Sequence, residues 1–181
     1  MTIKHLQTPI SEKEAYSLNV GDAVLIDGII YTGRDAVMPK LVKCSRDCTL
    51  DKNLVNLSGS VIFHTAVSPA GIGPTSSNKY NIESNIPFLS QQGVKIHLGK
   101  GELSNFTVKE LKRYNALYAI TPPVSALLSS KIVSQRVIAF PEDGMEAMYE
   151  LVVKDFPIII AIAHGVSIFA TEASEKNAEE K

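Results

Sequence analysis

Apolar and polar positions along this chain switch between two periods. Short apolar runs bounded by Gly, Pro, Asn or Asp read as strands, and longer stretches with apolar residues three and four apart read as helices. Residues 3–8 form a first strand on this basis, and Ser11-Glu12-Lys13-Glu14 opens a helix. After a turn at Gly21, residues 23–33 read as strand, glycine break at Gly28, and strand again. Arg34-Asp35-Ala36 leads into a helix-like segment that Pro39 limits or kinks. Residues 45–58 are polar without a firm period and read as loop or short helix. A strand over 60–66 is followed by a helix over 82–92, closed by Gly93 as a C-terminal cap. Residues 94–98 form a strand that ends at Gly99-Lys100-Gly101. A helix over 107–114 takes Thr107 as its N-cap, with Glu110 completing a capping box. Strands over 117–120, 132–140, 149–153 and 158–163 enclose a helix over 124–130 and a helical turn over 144–148.

Strands thus alternate with short helices in the middle and cluster at the two ends, which predicts an α/β domain with a mixed sheet and flanking short helices. No internal repeat or linker divides the chain, so residues 1–170 read as one domain. Residues 171–181 carry four Glu and two Lys and read as a solvated, disordered tail. The length of 181 residues suits a single domain with a sizeable core. A net charge of −1 excludes the basic field that nucleic-acid binding uses. The longest apolar run, Phe156 to Ala163, is far below the ~20 residues of a membrane span. With no signal-peptide pattern at the N-terminus, a cytoplasmic location is expected.

The densest candidate chemistry is the segment from Gly71 to Asn81. It holds two glycines, one proline, the hydroxyls of Thr75, Ser76 and Ser77, and the cation Lys79. Glycines let backbone approach a ligand, and successive N–H groups in such a loop favour an anion. A plain surface turn is the other reading of these residues. The two cysteines, Cys44 and Cys48, are four apart and would share a face of a helix. Two thiols are too few for a four-cysteine metal or cluster site and read as reduced cysteines, with a redox pair as the other reading. His64 and His97 each close a strand and read as partners of nearby backbone rather than as bases.

Four motifs in order give the chain a family resemblance. They are Gly21-Asp22 with the run from Asp27 through Gly33-Arg34-Asp35-Ala36, the loop Gly73-Pro74-Thr75-Ser76, Gly99-Lys100-Gly101, and Gly144-Met145-Glu146-Ala147 with Asp155-Phe156-Pro157. From about Gly21 to Phe169 the chain resembles the C-terminal domain, or beta subunit, of class I fumarate hydratases and L(+)-tartrate dehydratases.

That resemblance implies a swivelling β/β/α domain and a hydro-lyase that adds or removes water across the double bond of a small dicarboxylate. It implies a larger, helix-rich alpha partner carrying a [4Fe–4S] cluster on three cysteines, with no cofactor bound by this chain alone. A heterodimer or a dimer of heterodimers follows, with the site shared between the chains. Arg34 matches the family's substrate-binding arginine, suited to a carboxylate by its bidentate fork, with Asp35 placed to orient it. Thr75 matches the threonine that removes the C–H proton, and Ser76 stands where relatives have a second threonine. Lys79 stands where the family shows arginine, so a charge is kept and a fork is lost. Lys100 matches a second carboxylate site. A further departure is Val37-Met38 after Ala36, where relatives read Ala-His. Fumarate hydratase is the leading assignment. L(+)-tartrate dehydratase is the alternative within the same chemistry, and a non-catalytic small-anion-binding subunit is the alternative from another class.

Overall fold

The computed structural model describes residues 3–51, 53–69, 71–73 and 79–169. The fold is mixed α/β. Strand β1 (Lys4–Gln7) is followed by helix α1 (Glu12–Tyr16). The expected helix start carries a capping box: the Ser11 hydroxyl accepts from Glu14 N at 3.2 Å, and the Glu14 carboxylate accepts from Ser11 N at 2.8 Å. Then come β2 (Ala23–Thr32), α2 (Val37–Arg46), β3 (Val61–Phe63) and a small ladder of β4 (Val67–Ser68) with β5 (Gly71–Ile72). Helices α3 (Lys79–Glu83) and α4 (Ile86–Gln91) precede β6 (Ile96–Gly99), α5 (Asn105–Arg113), β7 (Leu117–Ile120) and α6 (Ser125–Ser130). The chain continues through β8 (Ile132–Ala139), a 3-10 turn (Pro141–Glu146), β9 (Met148–Ala163) and β10 (Val166–Ser167).

Strands β2, β3, β6 and β7 run parallel in that order. The long strand β9 is antiparallel to both β7 and β2, so the hydrogen-bonded path closes into a ring. Strands β1, β8 and β10 attach to the ring through β2 and β9. Alternation along each strand sorts side chains onto two faces. Val24, Ile26, Ile30, Phe63, Leu98, Ala119 and Phe156 fall in one buried cluster, with Phe63 and Phe156 edge to face at 5.8 Å. Tyr31, Ile62, Tyr118 and Ile162 fall in the other, packed against Met38 and Leu41 of α2, Leu89 of α4 and Leu111 of α5. The apolar stripes of these helices face the same layer, so each short helix is held by packing rather than by its own length.

Several expectations are corrected. There is no break at Gly28: β2 is one strand whose register to β9 shifts between Ile26 and Gly28 at a bulge, and Gly28 has φ +100°. The strands expected over 149–153 and 158–163 are one strand, β9. Lys154 and Asp155 form its side of the bulge, with the Asp155 amide donating to the Asp27 carboxylate at 2.7 Å and Lys154 pairing with the same group. That amide bond, with Lys154 next, holds the Asp27 carboxyl below its usual range. Helix α5 starts earlier than expected, because Ser104 rather than Thr107 is its N-cap and accepts from Thr107 N at 3.3 Å. The helix expected over 82–92 is two pieces, α3 and α4, and its closing glycine is as expected. Gly93 has φ +105°, with Val94 N donating to Leu89 O and Gly93 N to Ser90 O, a Schellman ending. Pro39 lies in the first turn of α2, where a missing N–H costs nothing. Cys48 lies beyond the end of that helix at φ +55°, so Cys44 and Cys48 do not share a helical face. The tail over 171–181 lies outside the described residues. No helix among the described residues is long and apolar enough to cross a membrane.

Candidate functional site

The carboxyl ends of four parallel strands share one edge of the ring, the usual place for a ligand crevice in α/β sheets. Gly33 N donates to Phe63 O at 3.0 Å and His64 N donates to Leu98 O at 2.8 Å. Gly33, His64 and Gly99 therefore lie in one row across β2, β3 and β6. Arg34 and Lys100, one residue further on, leave strands two places apart, about 10 Å at ~4.8 Å per strand. The topology gathers these residues; their distance along the chain is irrelevant to it.

Arg34 sits at the junction of β2 and α2, where its carbonyl accepts from Val37 N at 3.1 Å and Met38 N at 2.7 Å. Its side chain is only 12% exposed. Nε donates to Asp35 Oδ1 at 3.0 Å, as expected for an orienting partner. Nη1 pairs with Glu146 Oε1 at 3.3 Å, which joins the first and last of the four sequence motifs. Glu146 was not legible as a partner, because nothing in its motif says which strand end it meets. A parallel contact supports the same docking: Lys40 of α2 reaches Asp143 at 2.6 Å and Glu142 at 3.2 Å on the 3-10 turn. The Asp143 hydrogen bond is the main cause of a raised Lys40 pKa.

Lys79 and Lys100 line a second, narrow cleft with His64, Glu83, Gly99 and Tyr118. Lys79 opens α3, and Lys100 follows β6. The Tyr118 hydroxyl donates to Lys100 O at 3.0 Å, which pins the Gly99–Lys100 turn to β7, and burial raises that phenol's pKa. Burial favours the protonated form of Glu83, but hydrogen bonds from Ser104 and Thr107 outweigh it and keep the pKa below the usual value. Those bonds run from Ser104 N at 2.7 Å and Thr107 Oγ1 at 2.8 Å. Thr75 and Ser76, the two hydroxyls expected at the site, lie outside the described residues. On the near side of that segment, Gly73 O accepts from Thr65 Oγ1 at 2.7 Å. A roomier hollow of about 440 Å³ lies elsewhere, beside Ser45, Cys48 and Gln92. Among the described residues no charged side chain lines it.

Gly99 has a steric reason. A Cβ there would stand 2.4 Å from Tyr118 Oη and 3.1 Å from His64 Nδ1. Gly99→Ala is expected to destabilise by about 1–3 kcal/mol, because the core must shift to admit one methyl. The thermal midpoint should fall by about 2–4 °C per kcal/mol, and an unchanged midpoint would refute the crowding.

His64 and His97 stand on one face of β3 and β6 with ring centroids 5.6 Å apart, both buried. His97 Nε2 meets Ser90 Oγ of α4 at 3.1 Å. Burial lowers the His64 pKa to about 3 and drives His97 well below its ordinary value, with His64 adding to the latter. Both rings are neutral when folded at pH 7, and the unfolded chain binds their protons as pH falls below about 6.5. Their contribution is complete above that pH and is lost as pH falls towards 3. Denaturant titrations between pH 7 and 5, above the carboxylate range, should show stability falling by up to about 1.4 kcal/mol per pH unit for each histidine. His64→Leu should remove one histidine's share of that slope.

Cys44 is half-buried and Cys48 exposed. Two thiols on a helix and the turn beyond it do not fit an iron–sulfur cluster, which takes three or four. Among the described residues no group of three or more His, Cys, Asp or Glu is placed to hold a metal ion.

Against known proteins, the family described as Fumarase C-terminus matches residues 2–172. The chain is 29% identical to the L(+)-tartrate dehydratase subunit beta of Escherichia coli K12 over 180 residues, covering 92% of this chain and 87% of that one. It is 31% identical to the "Putative L(+)-tartrate dehydratase subunit beta" of Methanocaldococcus jannaschii, covering 88% of each. It is also 31% identical to the "Putative fumarate hydratase class I" of Geobacillus stearothermophilus, covering 97% of this chain and 35% of that longer protein.

Proposed function

This chain belongs to the Fumarase C-terminus family, and from that premise we propose that it is the beta subunit of a two-subunit hydro-lyase acting on a four-carbon dicarboxylate. The supporting observation is that Arg34 and Lys100 follow the carboxyl ends of β2 and β6 on one edge of the sheet, and that Lys79 lines one cleft with Lys100. On this reading residues 1–170 are the family's swivelling domain, and the site is completed by an alpha subunit. The relatives that this chain matches over most of their length are named as beta subunits, which supports a partner. The [4Fe–4S] cluster belongs to that partner, since Cys44 and Cys48 do not fit one.

Lys100 and Lys79 hold carboxylates as point charges, Arg34 offers a planar fork, and Thr75 removes the C–H proton with Ser76 donating beside it. Negative charge that builds on the substrate next to its carboxylate is met by these cations. Two substrates are supported. Fumarate with L-malate follows from the Geobacillus relative's name, and L-tartrate follows from the names of the two beta subunits. The test is anaerobic turnover of fumarate, L-malate and L-tartrate by the chain co-purified with its own alpha subunit. Turnover of the first two or of the third chooses the substrate. No turnover with an intact cluster refutes the enzyme and leaves an anion-binding subunit.

A further inference from the structure

We propose that Glu146 is a positioning residue for Arg34: its carboxylate, delivered by the 3-10 turn before β9, holds the guanidinium in the orientation that grips a substrate carboxylate. The inference rests on the dicarboxylate reading above and adds the residue that sets its arginine. Three observations carry it.

The first is the pair itself. Arg34 Nη1 lies 3.3 Å from Glu146 Oε1, with the two side chains 12% and 30% exposed. Asp35 meets Nε of the same guanidinium at 3.0 Å. Asp35 is the next residue in the chain, so it moves with Arg34. Glu146 comes from a distant element, so it fixes the guanidinium relative to the sheet. A guanidinium fork grips a carboxylate in one plane and one direction. A carboxylate set beside it removes freedom that substrate binding would otherwise have to remove.

The second is how the end of the turn reaches Arg34. Strands β2 and β9 pair antiparallel with Tyr31 opposite Glu150. That register, continued past Thr32, brings Arg34 beside the step from Glu146 to Ala147. Thr32 is fully buried, and its hydroxyl donates to Ala147 O at 3.4 Å and accepts from Tyr149 N at 3.0 Å. A buried side chain two residues before Arg34 therefore ties down the backbone that follows Glu146.

The third is the near side of the turn. Gly144 takes φ +58° and ψ −117°, backbone that glycine adopts readily. Its carbonyl accepts from Ala147 N at 3.1 Å and from the Tyr149 hydroxyl at 3.3 Å. Lys40 of α2 pairs with Asp143 at 2.6 Å and Glu142 at 3.2 Å. The segments before and after Arg34 thus both hold the turn that carries Glu146. Those ties keep the turn in place without the guanidinium, so what the Arg34–Glu146 pair chiefly fixes is the arginine. A binding group is held to useful precision when the groups behind it are themselves locked.

The test is steady-state kinetics of the two-subunit complex on whichever of fumarate, L-malate and L-tartrate it turns over. Glu146→Ala is expected to lower kcat/KM by about tenfold, the effect of a misaligned grip. Glu146→Gln keeps an acceptor for Nη1 and loses only the charge, and should stay within about threefold of wild type. In an Arg34→Ala background, adding Glu146→Ala should change kcat/KM by less than about twofold, since a residue that acts through Arg34 has nothing left to act on. A purely structural role would lower the thermal midpoint and leave the kinetics of the folded complex unmoved. Three results overturn the proposal and leave the dicarboxylate reading intact: wild-type kinetics in Glu146→Ala, equal losses in Glu146→Ala and Glu146→Gln, or a full Glu146→Ala loss in the Arg34→Ala background. No turnover of any of the three acids by wild type with an intact cluster overturns both. Glu146 is partly exposed and the Thr32 and Lys40 ties remain, so the alanine variant should fold; if it does not assemble, Glu146→Asp, one methylene short of the guanidinium, takes its place with the same expected loss and the same reversals.

Discussion

Thr75→Ala is expected to lower kcat by about 10²–10⁴-fold, the usual worth of a positioned proton-transfer group, while leaving KM for the dicarboxylate close to wild type. The reasoning is chemical. A threonine hydroxyl is a weak base at its own pKa, and it works only where cations and N–H donors stabilise the alkoxide. On the proposed reading Lys79 and Lys100, which share a cleft, supply much of that field. Arg34 supplies less than its formal charge suggests, because Asp35 and Glu146 both lie against its guanidinium. A methyl in place of the hydroxyl removes proton transfer and keeps the carboxylate grips, so the loss belongs in kcat. Steady-state kinetics of the two-subunit enzyme decide it. Near-normal kcat in Thr75→Ala would mean that another group is the base.

Arg34→Ala is the second large effect and has a different signature. We expect kcat/KM to fall by about 10²–10³-fold, with both constants affected, since a charge-assisted grip in the site is lost. A structural effect should accompany it. Without the guanidinium, Glu146 loses its ion pair to Arg34, while the Lys40 pairs to Glu142 and Asp143 still tie the 3-10 turn over 141–146 to α2. The two carboxylates are partly exposed and water meets part of the loss, so the thermal midpoint should drop by a few degrees. Arg34→Lys separates the two roles: it keeps the charge and loses the fork, and should recover stability more than activity. An Arg34→Ala enzyme within tenfold of wild type would make Arg34 a clamp for the turn and nothing more.

Much of the local structure is legible in the residues themselves. The helix start at Ser11, the glycine ending at Gly93 and the short apolar runs of β3, β6 and β7 are short-range effects, and the structure has each where expected. Expectations drift where two local signals compete. Ser104 and Thr107 both suit an N-cap, and the earlier one wins because Thr107 donates its hydroxyl proton to Glu83. The run from Lys154 to Pro157 reads as a break between two strands, with Pro157 lacking an N–H, and in the structure Asp155 has φ +50°. A bulge on β9, with Lys154 and Asp155 opposite Asp27, and the Asp27 carboxylate absorb those residues, and β9 runs through.

By itself, then, the sequence determined the mixed α/β class, the order of strands and helices, the family, and the residue types that suit a dicarboxylate, because caps, turns and alternation depend on neighbours a few positions away. Tertiary structure alone decided that β9 closes the ring against both β7 and β2, that Arg34 meets Glu146, and that His64 stands over Gly99 with one nitrogen unpaired. Those facts depend on which strands lie side by side and on the register between them, and pairing between distant segments leaves no periodic mark in either one.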